Sequence, residues 1–268
     1  MPSRMRVEIA EQPEALRRTF DALLPQVGAL EALGRETRQV LFIARGSSDN
    51  AAVYGQYLCS VHAGRLASLA APSVATVYRA DLDLRGVLAV GVSQSGATEE
   101  IVTTLEWARR CGARTAAVTN VAGSPLAEAA DVPLITQAGT ELAVPATKTY
   151  LTQLVAMAVL GTALAPEPTV LDADLARVPA EVERLIAGRV GVGAAVAALR
   201  DASHVVASGR GLMMGTALEA ALKLEETCLR PVRGYSYADL RHGPISVVTS
   251  GVVAVLVAAP DGPLLTPM

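Results

Sequence analysis

The sequence predicts an α/β fold in which a parallel sheet is covered by helices on both faces. Three observations point there. Short unbroken apolar runs recur at 40–44, 87–92, 115–119, 132–135 and 252–257, and strands buried on both faces lack the alternation of a half-exposed sheet. Helical patterns follow the first, second and fourth of these runs, at about 48–62, 98–111 and 146–164, which is the rhythm of βα units. The composition is 51% hydrophobic but only 3% aromatic, so the core must be aliphatic, built from Ala, Val and Leu.

The elements follow in order. An amphipathic helix is expected to open near Gln12 and Pro13, a good first-turn proline, and to run through Leu16, Phe20, Leu23 and Leu24. The run at 40–44 ends in Gly46, Ser47 and Ser48, and the run at 87–92 ends in Ser93, Gln94, Ser95 and Gly96. Pro166 and Pro168 mark a linker. A helix is expected from about 172 to 189 and another reaching 199, leading into a strand at 204–208 and the glycine-rich turn Gly209, Arg210, Gly211. The succession of strand, glycine-rich loop and helix thus occurs twice, at 44–52 and 207–217, which predicts an internal duplication. The expected organisation is a helical segment at 1–35, a first domain at 36–166, and linker helices with a second, incomplete domain at 167–268. Eleven residues follow Val257, too few for a second sheet the size of the first, so the second copy is expected to be cut short.

Bulk properties exclude several classes of function. The formal charge of 23 − 26 = −3 comes without a basic tract, which argues against a nucleic-acid partner. Arg4, Arg6, Glu8 and Glu11 near the start break any apolar leader. The longest apolar run, 151–165, is interrupted by Thr152, Gln153 and Thr162 and is too short to span a bilayer. A soluble cytoplasmic protein with no membrane association is expected. Cys59, Cys111 and Cys228 are far apart, with no histidine at metal-ligand spacing. They read as reduced, buried small hydrophobes, His62 and His204 read as structural, and neither a metal nor a cofactor is expected.

The most informative stretch is 217–244. Glu219, Lys223 and Glu226 stand at i, i+4 and i+7 of a helical pattern, so two carboxylates and an ammonium share one face. Ala217, Leu218, Ala221, Leu222 and Leu224 make the remainder, which reads as core. The segment 234–244, with Tyr235, Tyr237, Asp239 and Pro244, is expected to deliver His242 on a loop. Such a charged stripe is either a solvated surface or the wall of a polar cleft, and the ring and turn residues that follow favour the cleft. Lys148 and Lys223 are the only two lysines in the chain. A lysine kept where arginine is otherwise the rule suggests work needing a compact, titratable cation, most clearly at Lys223 between its two carboxylates.

The loop of Ser93, Gln94, Ser95, Gly96, Ala97 and Thr98 lies where a buried strand ends and a helix begins. Backbone N–H groups and the positive end of the helix converge there, with hydroxyls as further donors. Gly96 is expected to let the backbone approach a ligand closely. No phosphate-binding Gly-Lys-Ser/Thr and no Gly-x-Gly-x-x-Gly occurs. The plainer reading is that Ser95 or Thr98 caps a helix. Two other hydroxyl-bearing segments, Ser47 with Ser48 and the stretch from Thr140 to Thr147, should also lie at strand C-terminal ends, where open parallel sheets bind ligands. Together they favour a small phosphorylated ligand.

These residues resemble the SIS (sugar isomerase) superfamily, and within it the isomerase half of glucosamine-6-phosphate synthase and the related aminosugar-phosphate deaminases. The resemblance begins with Glu8, Glu11 and Pro13 and continues through Arg45 to Ser48, Ser93 to Thr98, Glu141 to Lys148, Ala217 to Glu226 and His242 to Pro244. It implies tandem SIS domains, each a three-layer αβα unit. It implies that Ser93, Gln94, Ser95 and Thr98 hold a sugar phosphate, with Ser47 and Ser48 near the ligand and Val144 in a loop lining the sugar. Glu226 would be the base that moves a proton between C1 and C2, and Lys223 would stabilise charge on the substrate oxygens. Glu219 would orient substrate or Lys223, while His242 would assist ring opening in the neighbouring subunit's site, which implies a homodimer. Arg45 with Gly46, Ser47 and Ser48 leans towards the deaminase-like branch.

The expected reaction is isomerisation or deamination of an aminohexose 6-phosphate through an enediol, interconverting glucosamine 6-phosphate and fructose 6-phosphate. No glutaminase activity is expected, since neither a glutaminase domain nor a starting cysteine nucleophile is read in these 268 residues, and the synthase's lysine-bearing tail is expected to have no counterpart after Met268. The competing expectations are a phosphosugar-binding module that senses without catalysing, and a fragment whose role is to dimerise. Glu226 and His242 favour the enzyme.

Overall fold

The computed structural model describes residues 2–167 and 174–259, which divide into two compact units, Met1–Arg184 and Leu185–Met268. The first unit opens with three helices, α1 (Arg4–Ala10), α2 (Gln12–Leu23) and α3 (Val27–Gly34). The Ser3 hydroxyl caps α1 by accepting from the Arg6 N–H at 3.3 Å. Pro13 sits in the first turn of α2 as expected, and Leu16, Phe20 and Leu23 are its buried stripe. The separate helix α1 carries no apolar stripe of its own and was not legible from periodicity.

Five parallel strands follow: β1 (Gln39–Ile43), β2 (Leu66–Leu69), β3 (Val87–Val92), β4 (Arg114–Thr119) and β5 (Val132–Ile135), in the order β2-β1-β3-β4-β5. Helices α4 (Ser47–Val61), α5 (Ser73–Thr76), α6 (Glu99–Arg110), α7 (Pro125–Ala129) and α8 (Lys148–Ala163) connect or follow them. On one side Ile43 packs with Ile101, Leu105, Trp107 and Leu126. On the other, α8 packs against α2, α3 and α4, with Phe42, Leu58 and Met157 fully buried. The order reverses direction between β1 and β3, and a crevice at the strand C-terminal ends of such a switch point is the usual ligand site. Strand β2 was not expected. It is a short edge strand with only Ala67 buried, so it offers no apolar run.

Helix α9 spans Val178–Gly188. The expected linker at Pro168 and the beginning of the expected helix at 172 lie outside the described residues, as does the chain from 260 onward. The second unit contains α10 (Val192–Arg200), β6 (His204–Gly209), α11 (Met214–Cys228), β7 (Val232–Ser236), α12 (Tyr237–Arg241) and β8 (Val252–Val257). Its three strands are parallel in the order β7-β6-β8. Ala217 and Ala221 of α11 are buried, and Ala221 packs with Val205, Ala207 and Val232 of the sheet. Gly234 lets α11 come close: a Cβ there would lie 2.7 Å from Leu218 Cδ2 and 3.2 Å from its Cα.

His242 lies in the turn after α12, as expected, but the residues before it form a strand and a helix; β7 carries Arg233 and Gly234 where an apolar run would have announced it. One expectation needs correction. The cysteines are not uniformly buried. Cys59 is, and burial pushes its thiol up to about 12, but Cys111 is half-buried and Cys228 is exposed at the end of α11.

Candidate functional site

The 93–98 loop joins β3 to α6 at the C-terminal edge of the first sheet. Ser93 is buried, its N–H bound to Val118 O at 3.0 Å. Gln94 O accepts from the Asn120 N–H at 3.0 Å and from the Thr119 hydroxyl at 3.3 Å, which ties the loop to the end of β4. Gly96 has φ +62, and a Cβ on it would fall 2.1 Å from Ser124 Oγ and 2.7 Å from Thr119 Oγ1. The glycine is therefore required by packing against the protein.

Thr98 occupies the N-cap position of α6, yet its side chain makes no capping bond. Its hydroxyl instead lies 3.2 Å from Ser93 Oγ. The plain capping reading thus fails for Thr98, while the Ser95 hydroxyl accepts locally from the Ala97 N–H at 3.3 Å. Ser95, Ala97 and Thr98 are exposed, so two hydroxyls and the first amides of α6 stand together at a positive helix end.

The neighbouring loop follows β1. Ser48 is buried and its Oγ accepts from Gln153 Nε2 of α8 at 3.0 Å, and Ser47 is half-buried at the start of α4. Arg45 reaches across the switch point, its Nε 3.0 Å from Glu100 Oε2 in the first turn of α6. Burial pushes the Asp49 carboxyl up, with the Arg45 guanidinium pulling the other way. The two loops that flank β1 and β3 are therefore linked by an ion pair.

The third segment lies between β5 and α8, and carboxylates hold its second half. Glu141 Oε1 accepts from the Thr147 N–H at 2.8 Å, the Lys148 N–H at 2.9 Å and the Thr147 hydroxyl at 3.1 Å, and Oε2 accepts from the Thr149 hydroxyl. The buried Lys148 ammonium pairs with Glu11 and donates to Thr140 O at 2.7 Å. Glu8, itself buried, accepts from the Leu142 and Ala143 N–H groups. Val144 is left 90% exposed at the tip. The work suspected for Lys148 is thus to fasten this loop to the N-terminal helices. The roles of Glu8, Glu11 and Glu141 were missed; they stand in the same motifs that carried the resemblance, but only the fold makes them one another's partners.

In the second unit, α11 presents the expected triad. The Lys223 ammonium lies 3.3 Å from Glu219 Oε1 and 2.5 Å from Glu226 Oε2. Glu219 is 5% exposed, so it belongs to the buried side of the helix rather than to an open stripe. Leu218, Leu222 and Leu224, expected in the core, are only half-buried. Glu226 Oε2 is shielded from solvent and lacks an aligned hydrogen bond, its contact with Lys223 being an ion pair. A carboxylate with one oxygen shielded beside an ammonium, on a side chain 29% exposed, is an arrangement suited to moving a proton at carbon. His242 follows α12 as its exposed C-cap residue, its N–H bound to Asp239 O at 3.0 Å. Among the described residues no group of three or more His, Cys, Asp or Glu side chains could hold a metal ion, and no helix is long and apolar enough to cross a membrane.

A doubly wound parallel sheet with hydroxyl-lined loops at its switch point defines the class: a three-layer α/β protein with a candidate anion site at the carboxyl edge. The comparisons give the family. Residues 35–163 match the SIS domain model, and the chain belongs to the SIS domain family. It is 38% identical over 275 residues to a glutamine–fructose-6-phosphate aminotransferase (isomerizing) from Symbiobacterium thermophilum, a match covering 95% of this chain and 44% of that protein. The chain therefore spans less than half the length of that relative. Among solved structures, a Silicibacter pomeroyi protein assigned as a phosphosugar isomerase superimposes with a TM-score of 0.92 at 36% identity, covering 99% of this chain and 81% of its own. The C-terminal domain of glucosamine-fructose-6-phosphate aminotransferase from Francisella tularensis gives 0.85 at 28%, with coverage of 100% and 78%. A glucosamine-6-phosphate deaminase from Thermotoga maritima gives 0.71 at 25%, with coverage of 97% and 78%.

Proposed function

We propose that this protein acts on an aminohexose 6-phosphate as an isomerase or deaminase. The observation that carries the reading is the Lys223 ammonium held between Glu219 and Glu226 on α11. Glu226 is the base that moves the proton between C1 and C2 of the open-chain sugar, and Lys223 steadies the negative charge that develops on oxygen. Glu219 holds Lys223 in place, and His242 assists ring opening. Ser93, Gln94, Ser95 and Thr98 receive the phosphate, with Ser47, Ser48 and Val144 near the ligand. In deamination, the proton shift converts the 2-amino aldose to an imine at C2. Water then adds, the carbon–nitrogen bond breaks, and ammonia leaves a ketose phosphate. The similarity to an aminotransferase and to a deaminase supports this substrate class.

The organisation belongs to the same proposal. The order β7-β6-β8 repeats the order β2-β1-β3 of the first unit, and α11 follows β6 as α4 follows β1. This supports two tandem SIS domains, the second represented by three strands among the described residues; the proposal takes the enzyme to be homodimeric and cytoplasmic.

The test is ammonia release from glucosamine 6-phosphate, with galactosamine 6-phosphate beside it and fructose 6-phosphate assayed as product. Glu226→Gln is expected to leave sugar-phosphate binding intact and abolish turnover, whereas Ser95→Ala with Thr98→Ala weakens binding. A Glu226→Gln variant that turns over at the wild-type rate removes Glu226 from the mechanism. Saturable binding with no turnover by the wild-type protein replaces the enzyme with a sensing module.

A further inference from the structure

The 136–148 segment is attached to α1 and α2 along most of its length. The Thr19 hydroxyl donates to Thr136 O, Arg18 Nε to Gln137 O at 3.0 Å, and Arg18 Nη2 to Ala138 O at 3.1 Å. Glu11 pairs with Lys148. Glu8 Oε2 accepts from the Ala143 N–H at 3.2 Å, and Oε1 accepts from the Leu142 N–H. From the side of β4, Asn120 Oδ1 accepts from the Ala138 N–H at 2.7 Å and Nδ2 donates to Gly139 O at 2.8 Å.

This loop is irregular, and its backbone donors would otherwise need water or a ligand. A buried carboxylate that spends both oxygens on two consecutive amides sets the direction of the backbone at those residues, because charge-assisted bonds of this kind are short and directional. The bonded residues, Leu142 and Ala143, immediately precede Val144. Glu8 and Arg18 come from helices that contribute no strand to the sheet, so their bonds to this segment supply its shape from outside the α/β unit.

We infer that Glu8, with Arg18 and the Glu11–Lys148 pair, forms a positioning device through which the N-terminal helices fix the 136–148 segment and thereby set affinity for the sugar portion of the ligand, separately from its phosphate. The inference rests on the proposed function for the identity of that ligand. Glu8 is a positioning residue, since it acts through the Leu142 and Ala143 amides.

The split between sugar and phosphate affinity tests it. Glucosamine 6-phosphate and inorganic phosphate are titrated calorimetrically into wild-type protein, Glu8→Ala and Glu8→Gln. Amide hydrogen exchange of the ligand-free proteins is followed in parallel. Glu8→Ala is expected to weaken glucosamine 6-phosphate about tenfold, the scale of losing hydrogen bonds to a charged group, while inorganic phosphate changes by less than about twofold. Glu8→Gln, which keeps an acceptor oxygen, recovers most of the loss. The Leu142 and Ala143 amides exchange at least about tenfold faster in Glu8→Ala, with the strand amides unchanged. If Glu8→Ala does not fold, Arg18→Ala, at a 42% exposed side chain, is expected to show the same split at roughly threefold. Parallel loss of both affinities, no loss of either, or unchanged exchange at 142 and 143 overturns the inference. Wild-type protein that binds inorganic phosphate but no sugar phosphate overturns the proposed function instead, and the exchange rates then decide the positioning device alone.

Discussion

The Glu11–Lys148 pair is asymmetric: the Lys148 side chain is 3% exposed and the Glu11 side chain 47%. That asymmetry predicts unequal costs for removing the two partners. Glu11→Ala leaves the ammonium buried with its hydrogen bond to Thr140 O. Breaking a buried pair in this way costs about 3 kcal/mol. Lys148→Met keeps most of the stem in the same packing and releases a half-exposed carboxylate to water, so its cost is about 1 kcal/mol. The double variant should resemble Lys148→Met, because the charge that made Glu11→Ala costly is gone. Trp107 is the chain's single tryptophan and lies 8% exposed in the first unit, so its fluorescence in urea reads the unfolding of that unit. With a slope of about 2 kcal/mol per molar urea, the midpoint falls by about 1.5 M for Glu11→Ala and about 0.5 M for Lys148→Met. If Lys148→Met proves the costlier change, or if the two losses simply add, the ammonium is not the buried, dependent member of the pair and the argument fails.

Two further outcomes follow from the site and the core. Gly96→Ala puts a Cβ 2.1 Å from Ser124 Oγ at a φ of +62, combining left-handed strain with overpacking, and should cost about 2–4 kcal/mol; an unchanged urea midpoint would show that the loop does not pack on Ser124. Burial raises the Cys59 thiol to about 12, so the folded state holds a proton that the unfolded chain releases near 9. The stability this contributes is complete below about 9 and is lost as pH climbs towards 12. At pH 8 a thiol reagent should label the exposed Cys228 quickly and Cys59 only after unfolding, and rapid labelling of Cys59 in the native protein would contradict its burial.

Legibility in the sequence tracked burial. Strands β1, β3, β4, β5 and β8 were readable because each is an apolar run, whereas β2 has one buried residue and β7 is interrupted by Arg233 and Gly234. The helical spacing of Glu219, Lys223 and Glu226 was enough to foresee that they meet, since i, i+3 and i+4 neighbours lie on one face wherever the helix packs. It could not show that Glu219 is on the buried side, which depends on how closely Gly234 lets α11 approach its sheet. The carboxylates Glu8 and Glu11 were out of reach for a different reason. Their partners lie more than a hundred residues away, and no local pattern encodes such a pairing.

One ammonium serves two carboxylates on α11, and this bears on how the proposed chemistry would proceed. With Glu219 at 5% exposure, its charge needs the Lys223 ammonium, 3.3 Å away, as a fixed counter-ion. The tighter contact, 2.5 Å to Glu226, depends on Glu226 being ionised. When Glu226 takes a proton from the sugar carbon, its attraction for Lys223 falls away just as negative charge appears on the substrate oxygen. In the proposed reaction the ammonium would follow that charge, while Glu219 holds it near the helix. Arginine would grip both carboxylates through its rigid fork and release neither so readily. A lysine at 223, in a chain that otherwise uses arginine almost throughout, is therefore the residue this proton transfer calls for.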